Sequence, residues 1–502
     1  MEVVSSSEVP SKHADSNLRG GCGLILRNMN PIELSPERFH HLASKIVEMS
    51  VKYLSSLDKR SVFPSTSGRE TEQLFAASTP DHGMKERALE ALVDLSSHSR
   101  AQNGRFFGYV QGTSEPVAAL GDFVASVLNQ NMTAWRSSPA GVTIERTVVR
   151  WLAEAIGCVG FSGTLTGGGS AANLMALALA RESRIPSNDR GMLGSEMPVI
   201  YASEQVHMSI PKAVAMLGIG RENLRYIPCD DRYRMIPSEL NRSISADKAR
   251  GRKPIAVIAS AGTVNTGSID PLPEIAAISR THDLWLHVDG AYGALAAIAA
   301  PEKFRGLEEA DSVSLDPHKW LFQPLDCGCL LYRDAEMARK TFAYTGSYAR
   351  QLSNDPLEGF AFFAESMELS RRFRALKLWL SLRYHGLEAF RDAIRLNLQQ
   401  AQRLSVAVEK HGELELTGPV ELSAVCFRHV IKDDATEEAR NHFNLALLKK
   451  IVGRGKIYLS NAELRGKFCL RACIVNHLTT NEHVDAVIPE VCAAAADLAS
   501  EG

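Results

Sequence analysis

The stretch Ser314-Leu315-Asp316-Pro317-His318-Lys319-Trp320 places a lysine directly behind a short apolar strand predicted over residues 312–315. Pro317 is expected to keep a helix from starting at this point. A lysine at the end of a buried strand is shielded from water, which disfavours its charged form and leaves an amine that can attack a carbonyl. A strand-end lysine beside a core tryptophan explains these seven residues equally well.

A second stretch, Leu286-His287-Val288-Asp289-Gly290-Ala291-Tyr292, favours a chemical role. Asp289 follows an alternating run over residues 284–288 and is predicted at the carboxyl end of a buried strand. A buried carboxylate is costly unless it meets a cation. The protonated ring nitrogen of pyridoxal 5'-phosphate is such a cation, and this cofactor is usually held by a lysine and an acidic partner. The two stretches therefore predict Lys319 and Asp289 as catalytic and cofactor-binding residues.

Short predicted strands alternate with helices through the middle of the chain. The strands are predicted over residues 198–202, 255–260, 284–288, 312–315 and 328–332, and helices over 210–217 and 272–282. This alternation predicts an α/β fold in which helices cover both faces of a mostly parallel sheet. Ligands of such sheets bind beyond the carboxyl ends of the strands, where Gly168, Asp289 and Lys319 are predicted to lie.

The Pro-His-Lys-Trp motif at Lys319 and the His-Val-Asp-x-Ala-Tyr motif at Asp289 together resemble the group II pyridoxal-phosphate decarboxylases. This family includes aromatic amino acid, tyrosine, histidine and glutamate decarboxylases, and the resemblance covers almost the whole chain. It implies a type I fold similar to aspartate aminotransferase, a homodimer, and loss of CO2 from an L-amino acid. The expected segments are a disordered tail (1–20), an N-terminal helical dimerisation segment (21–110), a large cofactor-binding domain (111–384) and a small C-terminal α+β domain (385–502).

The composition is that of an ordinary globular protein. Of the 502 residues, 45% are hydrophobic and 23% are charged, and the net charge is −2. No basic block is present, so nucleic acid and anionic membranes are not expected as partners. Residues 1–21 lack an apolar signal core, no apolar run reaches the ~20 residues of a membrane span, and the nine cysteines lack paired zinc spacing. These features predict a cytoplasmic protein without a metal site.

Three consecutive glycines at 167–169 precede a helix predicted over residues 171–181. Glycines let the backbone approach an anion, and a helix N-terminus offers unpaired N–H groups. The spacing lacks the Gly-x-Gly-x-x-Gly pattern of dinucleotide sites and the Walker lysine. A glycine run is weak evidence alone, but the family resemblance implies that Gly168, Gly169 and Ser170 hold the cofactor phosphate.

The resemblance also implies roles for three polar residues elsewhere. His207, in the family's Ser-x-x-x-His-x-Ser pattern, is expected to stack on the cofactor ring and to be catalytic, although a lone histidine is more often structural. Thr263 matches a threonine beside the cofactor, and His318 is expected to donate to the phosphate. Asp316 stands where several relatives carry asparagine. Because a carboxylate would repel a phosphate, Asp316 is left out of the predicted site.

A polar stretch over residues 333–356 is predicted as a long loop, and loops of this length usually act as lids or binding segments. In the resembled family a loop at this place carries a tyrosine over the reacting carbon. Tyr348 is expected to be this catalytic residue, with Tyr344 as its rival. The presence of this tyrosine together with Lys319 and Asp289 argues against a non-catalytic scaffold protein.

The substrate is predicted from four residues. Phe107 and Tyr109 suit an aromatic side chain, and Ser370 resembles the plant decarboxylases that prefer tyrosine-like phenols. Arg471, on an alternating strand, either binds the substrate carboxylate, as in glutamate-type relatives, or is structural. An aromatic amino acid such as tyrosine, DOPA or tryptophan is the first expectation. Decarboxylation of glutamate, aspartate or 2,4-diaminobutyrate, and oxidative formation of an aromatic aldehyde, stay open.

Two amphipathic helices are predicted outside the strand region. The first begins at Ser35-Pro36-Glu37, with a capping serine and a proline at the first helical position, and carries apolar residues from Phe39 to Tyr53 at helical spacing. Such a helix needs a partner surface, which in the resembled family belongs to the second subunit of a dimer. The second helix, with a basic face, is predicted to start at Ser370.

Overall fold

The computed structural model describes residues 30, 32–192, 194, 196–344, 355–431 and 435–501. The α-helices are α1 Pro36–Ser56, α2 Gly68–Phe75, α3 Ala91–Ser97, α4 Pro116–Leu128, α5 Pro139–Ala155, α6 Gly169–Arg184, α7 Ser209–Met216, α8 Pro237–Ala249, α9 Leu272–His282, α10 Pro317–Trp320, α11 Ala335–Phe342, α12 Ala375–Glu409, α13 Glu437–Arg454, α14 Asn481–Asp485 and α15 Val487–Glu501. The β-strands are β1 Ser162–Thr166, β2 Pro198–Ser203, β3 Leu224–Ile227, β4 Lys253–Ser260, β5 Trp285–Asp289, β6 Ser312–Leu315, β7 Gly328–Tyr332, β8 Leu414–Leu416, β9 Ala424–His429, β10 Ser460–Leu464 and β11 Lys467–Cys473.

Seven of the described strands form one large sheet in the order β1-β7-β6-β5-β4-β2-β3. The neighbours from β6 to β3 are parallel, whereas β7 runs antiparallel to both β1 and β6. The predicted α/β fold with a mostly parallel sheet is therefore confirmed. The sequence analysis missed β1 and β3, because β1 is built largely of small and polar residues and β3 is a four-residue edge strand.

Alternate residues of the central strands point to opposite faces of the large sheet. In β2, Val199 and Tyr201 pack into one core with residues of α5, α8 and α9. Ile200 and Ala202, between them, pack into a second core with residues of α6 and α7. Burial of both faces is typical of parallel sheets, whose crossover helices cover each side.

A smaller domain follows the large sheet. Its described strands form an antiparallel sheet in the order β10-β11-β9-β8, and α13 and α15 supply the helical side of its core. The long helix α12 leads into this domain and is interrupted at Gly386, whose φ of 76° favours glycine. The backbone of Phe107 also pairs with this domain, donating to the carbonyl of Tyr458 over 2.9 Å. The division into four segments predicted from the sequence stays a prediction.

Three local predictions were wrong. Pro317 starts helix α10 instead of preventing it, because proline at the first helical position lacks only an N–H that would have no helical partner. The stretch predicted as a long loop from residue 333 begins with α11, which the side chain of Asp334 caps. The basic helix predicted to start at Ser370 begins at Ala375.

Helix α1 begins as predicted. Oγ of Ser35 accepts a hydrogen bond from the backbone N–H of Arg38 over 3.2 Å, and Pro36 occupies the first helical position. No residue of α1 is buried.

Of the helices that the structure describes, none is both long and apolar enough to cross a membrane. The tail predicted over residues 1–20 lies outside the described residues.

Candidate active site

A cavity of about 320 Å³ lies at the carboxyl ends of β4, β5 and β6, beside the N-terminus of α6. Segments that are far apart in the sequence meet here because parallel strands end at the same edge of their sheet. The predicted site residues that line this cavity are Gly168, Gly169, Ser170, His207, Thr263, Asp289, His318 and Lys319.

Lys319 lies in the single turn of α10, with Nζ 2.9 Å from Oδ2 of Asp316. The side chain of Lys319 is 20% exposed and that of Asp316 is 4% exposed. The two side chains form an ion pair, and the uncharged amine stays a prediction. The exclusion of Asp316 from the site was wrong, because its carboxylate lines the cavity and pairs with Lys319.

Asp289 is the last residue of β5 and is 7% exposed. Its Oδ1 accepts hydrogen bonds from the backbone N–H of Ala291 and from Oγ of Ser314, both over 3.1 Å. Its Oδ2 accepts a third from Nδ2 of Asn173 over 2.9 Å. These donors hold a buried carboxylate at the cavity wall, where it is suited to pair with a cationic group of a ligand.

His207 follows β2 and is held by Ser209. The backbone N–H of Ser209 donates to Nδ1 of His207 over 3.2 Å, and Oγ of Ser209 lies 2.9 Å from the same atom. Because Nδ1 accepts, the neutral imidazole carries its proton on Nε2. Burial lowers the pKa of His207, and the carboxylate of Asp289 opposes this shift. His207 is therefore neutral at neutral pH and presents an uncharged ring to the cavity.

Two buried residues that the sequence analysis missed connect these groups. Asn173, on α6, donates from Nδ2 to Asp289 and to Oγ of Ser209, both over 2.9 Å, and its Oδ1 accepts from Nε2 of His287 over 2.9 Å. The hydroxyl of Ser312 lies 2.9 Å from the other ring nitrogen of His287. Burial lowers the pKa of His287 to about 4, against the opposing effect of Asp289. Their signal in the sequence was a polar side chain at a position where the pattern predicts an apolar one.

The glycine loop after β1 forms a concave surface at the start of α6. Gly168 has a φ of 126°, which other residues rarely adopt. A Cβ at Gly169 would lie 2.8 Å from Cβ of Ala291, so the loop has no room for a side chain there. No side chain in the described part of the chain caps α6, and its first N–H groups therefore remain for an anion. Ser170 adds a hydroxyl at the same wall, and the loop fits a phosphate group.

Thr263 and His318 complete the polar wall. Oγ1 of Thr263 lies 2.9 Å from Oγ1 of Thr266. Nδ1 of His318 donates to the carbonyl of Cys327 over 2.8 Å, because a carbonyl can only accept. Burial lowers the pKa of His318, and Asp316 opposes this shift. In its neutral form His318 thus offers an unprotonated Nε2, and it donates from that atom only as an imidazolium.

A second cavity of about 400 Å³ adjoins the first and shares His207 and Lys319 with it. Tyr109 and Arg471 line this second cavity. Arg471 donates from Nη1 to the carbonyl of Tyr109 over 2.7 Å and from Nε to the carbonyl of Asn265 over 3.0 Å. Its Nη2 is buried and has no hydrogen-bond partner within the described parts of the chain. This donor is available to a carboxylate of a ligand.

Two predicted site residues are not brought to these cavities, and a third lies outside the described residues. Phe107 is fully buried in the core of the small domain, because its backbone pairs with Tyr458 and directs the side chain inward. Ser370 is exposed and lines neither cavity. Tyr348 lies outside the described residues, whereas its rival Tyr344 is described and is 91% exposed.

Comparison with known proteins identifies the family. The profile of the pyridoxal-dependent decarboxylase conserved domain matches residues 84–430. The chain belongs to the pyridoxal-dependent decarboxylases. It is 34% identical to the aromatic-L-amino-acid decarboxylase of Bacillus atrophaeus, over 93% of this chain and 97% of the relative. It is 30% identical to the phenylacetaldehyde synthase of Petunia hybrida, over 90% and 93% of the two chains.

A solved structure agrees with this assignment. The crystal structure of Oryza sativa TDC with PLP and tryptamine matches this pyridoxal-dependent decarboxylase with a TM-score of 0.88 and 26% identity, over 94% of this chain and 99% of that chain. The protein is accordingly a carboxy-lyase that uses pyridoxal 5'-phosphate. The first cavity fits this cofactor, since the glycine loop suits a phosphate, Asp289 suits a protonated ring nitrogen, and Lys319 carries an amine that can condense with an aldehyde.

Proposed function

We propose that this pyridoxal-dependent decarboxylase converts an aromatic L-amino acid into the corresponding amine and CO2. The observation that carries the proposal is the single cavity in which Asp289, Lys319 and the glycine loop meet. The name of the Bacillus atrophaeus relative supports the aromatic class of substrate. A carboxylate that becomes neutral CO2 gains from removal of water, and the cavity walls are largely buried.

In this proposal the described cavity residues share the work of holding the cofactor. Lys319 binds it through its amine, Asp289 keeps the proton on the ring nitrogen, and His207 packs against the ring. The phosphate is held by Gly168, Gly169, Ser170 and Thr263, and His318 donates to it only in its imidazolium form. Pyridoxal phosphate supplies an aldehyde that condenses with amines and a protonated ring that accepts the electron pair of the breaking bond.

The second cavity is the proposed substrate site. Its wall includes Tyr109 and the apolar residues Val110 and Val264, which suit an aromatic side chain. Arg471 offers its unpaired Nη2 to the substrate carboxylate. Among the described residues that line the two cavities, the lysine and arginine side chains are those of Lys319 and Arg471. An acidic substrate has a second carboxylate, and the described cavity residues supply no further lysine or arginine to pair with it. This favours an aromatic substrate.

Aldehyde formation is the second candidate function. The phenylacetaldehyde synthase of Petunia hybrida is a relative over nearly the same length as the decarboxylase. The family resemblance assigns the difference between the two products to the tyrosine proposed at position 348. A tyrosine there supports the amine as the product.

The substrate is tested by incubating the purified protein with pyridoxal phosphate and a panel of amino acids, and by identifying the products by mass. We expect amines from tyrosine, DOPA or tryptophan. Turnover restricted to glutamate, aspartate or 2,4-diaminobutyrate would contradict the aromatic assignment. An aldehyde in place of the amine would support the second candidate.

The attachment residue is tested separately. Borohydride reduction of the protein with bound cofactor, followed by peptide mapping, should label the peptide that contains Lys319. Lys319→Ala should abolish turnover and the visible absorbance of the bound cofactor. Lys377→Ala is a control, because this buried lysine pairs with Asp122 outside the cavity. A labelled peptide without Lys319 would refute the assignment.

We also propose a homodimer. Helix α1 buries none of its residues, and its apolar side chains Phe39, Val47 and Val51 are 46%, 54% and 58% exposed. Helix α4 exposes a second apolar set, which includes Phe123 at 49% and Val127 at 57%. Apolar faces of this extent are typical of surfaces that a partner covers.

A cytoplasmic location is proposed as well. The eight cysteines of the described part of the chain are free thiols, which a reducing compartment preserves. Fractionation of cells that produce the protein should place it in the cytoplasmic fraction. Recovery from the secreted fraction with an intramolecular disulfide would contradict this location.

A further inference from the structure

A carboxylate borders the proposed phosphate site. Asp316 is 3% exposed, and a Cβ at Gly169 would lie 3.0 Å from its Oδ2, so the carboxylate stands against the glycine loop. Oδ2 pairs with Nζ of Lys319 over 2.9 Å. Oδ1 is buried and finds no hydrogen-bond partner in the described part of the chain. The loop therefore offers a phosphate both N–H donors and a negative charge at short range.

We propose that Asp316 weakens the binding of the cofactor phosphate, so that this protein exchanges its cofactor more readily than the glycine loop alone would allow. The inference rests on the proposed assignment of the glycine loop and Lys319 to the cofactor. Charges of the same sign repel more strongly where water is excluded, and Asp316 is almost fully buried.

The charge of Asp316 is balanced at one of its two oxygens only. Lys319 is its close cationic partner, and the amine of Lys319 is also the group that attaches the cofactor. His318 is a second titratable neighbour, with Nε2 3.7 Å from Oδ2 of Asp316. Because burial lowers the pKa of His318, its neutral form brings no compensating charge at neutral pH. Oδ1, 4.0 Å from a Cβ built on Gly168, thus faces the glycine loop with neither a donor nor a cation beside it among the described residues, whether or not a bond to Lys319 forms.

The test measures binding to the cofactor-free protein by equilibrium dialysis. The probes are pyridoxal phosphate, pyridoxine 5'-phosphate, which carries the phosphate but no aldehyde, and pyridoxine, which lacks both. Asp316→Asn keeps the shape of the side chain and removes its charge. We expect this variant to bind pyridoxine 5'-phosphate at least about tenfold more tightly than the parent, and pyridoxine with less than about a twofold change. Asp316→Ala, a second variant without the charge, should change in the same direction.

Asp326→Asn is the matched control. Asp326 also borders the loop, since a Cβ at Gly167 would lie 3.1 Å from its Oδ2, but Arg374 pairs with it over 3.3 Å. This variant should not bind pyridoxine 5'-phosphate more tightly. Thermal unfolding of each cofactor-free variant verifies that it is folded.

Three results would overturn the inference. These are unchanged or weaker binding of pyridoxine 5'-phosphate by both Asp316 variants, an equal gain for pyridoxine, and an equal gain in Asp326→Asn. Pyridoxine 5'-phosphate cannot form a bond with Lys319. If the cofactor attaches to a residue other than Lys319, the peptide mapping will show it, and the comparison of pyridoxine 5'-phosphate binding will still hold. A parent protein that binds neither pyridoxal phosphate nor pyridoxine 5'-phosphate would refute both proposals.

Discussion

The side-chain amide of Asn173 lies 2.9 Å from the carboxylate of Asp289, the residue proposed to pair with the cofactor ring. The same amide nitrogen also donates to Ser209, which holds His207. One buried side chain thus orients both the proposed ring partner and the proposed stacking residue. Since His287 binds the amide oxygen, Asn173 has no freedom to flip. We assign it as a positioning residue.

Asn173→Ala should lower kcat about tenfold to a hundredfold with cofactor still bound, because Asp289 and Ser209 each lose a buried donor. It should also shift the acidic limb of the pH–rate profile, since His207 loses its fixed orientation. Steady-state kinetics at saturating pyridoxal phosphate provide the measurement. Ser183→Ala on the same helix is the control, because its hydroxyl donates to the carbonyl of Ala180 within that helix. Native kinetics in Asn173→Ala would make the residue purely structural.

Asp289→Asn should leave the fold intact and slow turnover by about two orders of magnitude or more. It removes the charge proposed to hold the proton of the ring nitrogen, an effect on the order of several kcal/mol in a site shielded from water. The variant is compared with the parent by kcat at saturating cofactor and by thermal unfolding. Near-native turnover would show that Asp289 supports the fold and not the reaction.

The stability of the protein should depend on pH through His287. Burial lowers the pKa of this histidine from 6.5 to about 4 in the folded state. Between pH 6.5 and about 4 the unfolded state binds more protons than the folded state. The contribution of neutral His287 to the free energy of unfolding is therefore present above pH 6.5 and is lost as the pH falls toward 4. The parent and His287→Gln differ in their free energy of unfolding. As the pH falls across this window, the difference in favour of the parent should decrease by up to about 3 kcal/mol.

Chemical denaturation at several pH values measures this difference. His82→Gln, at an exposed position outside the sheet, serves as the control and should show a constant difference from the parent. A constant difference for His287→Gln as well would mean that His287 does not titrate on unfolding as inferred.

Removal of residues 1–60 should cause aggregation or loss of solubility, because it deletes helix α1 and uncovers the partner surface that α1 would cover in the proposed dimer. Removal of residues 1–20 alone, outside the described part, is the control and should change little. Val51→Glu should weaken the dimer, because it places a charge among exposed apolar side chains. Sedimentation velocity measures the oligomeric state, and a fully active monomer of the parent protein would contradict the proposal.

Tyr348→Phe should change the product. In the proposal the phenol of this tyrosine donates a proton to Cα after CO2 leaves, and phenylalanine keeps the volume but lacks that proton. Dissolved O2 should then take up two electrons from the decarboxylated substrate, so that, with water, aldehyde, ammonia and hydrogen peroxide replace the amine, as product analysis by mass and a peroxide assay would show. Tyr344→Phe is the matched control, because this tyrosine is 91% exposed. If Tyr344→Phe changes the product instead, the role belongs to position 344.

Much of the fold and part of the site followed from local sequence signals. Short apolar runs predicted β2, β4, β5, β6 and β7 to within a few residues, and the two motifs predicted that Lys319 and Asp289 line one cavity. The serine cap of α1 was also read correctly. These features are determined by residues close together in the chain, through side-chain periodicity and capping, and they are therefore visible in the sequence.

Other features depended on which segments meet in the folded chain. Asn173 and His287 show in the sequence only as polar side chains within an apolar pattern, and they acquire their role because α6 packs against β5. Phe107 was predicted to contact the substrate. Its backbone instead pairs with the small domain, and its side chain is buried in the core of that domain. Asp316 was excluded by its charge, yet the turn of α10 brings it to Lys319. The sequence by itself determined the chemical groups and the order of the elements. Only the tertiary structure decided their partners, because a buried polar group must be satisfied by whatever donor or charge the packing brings within reach.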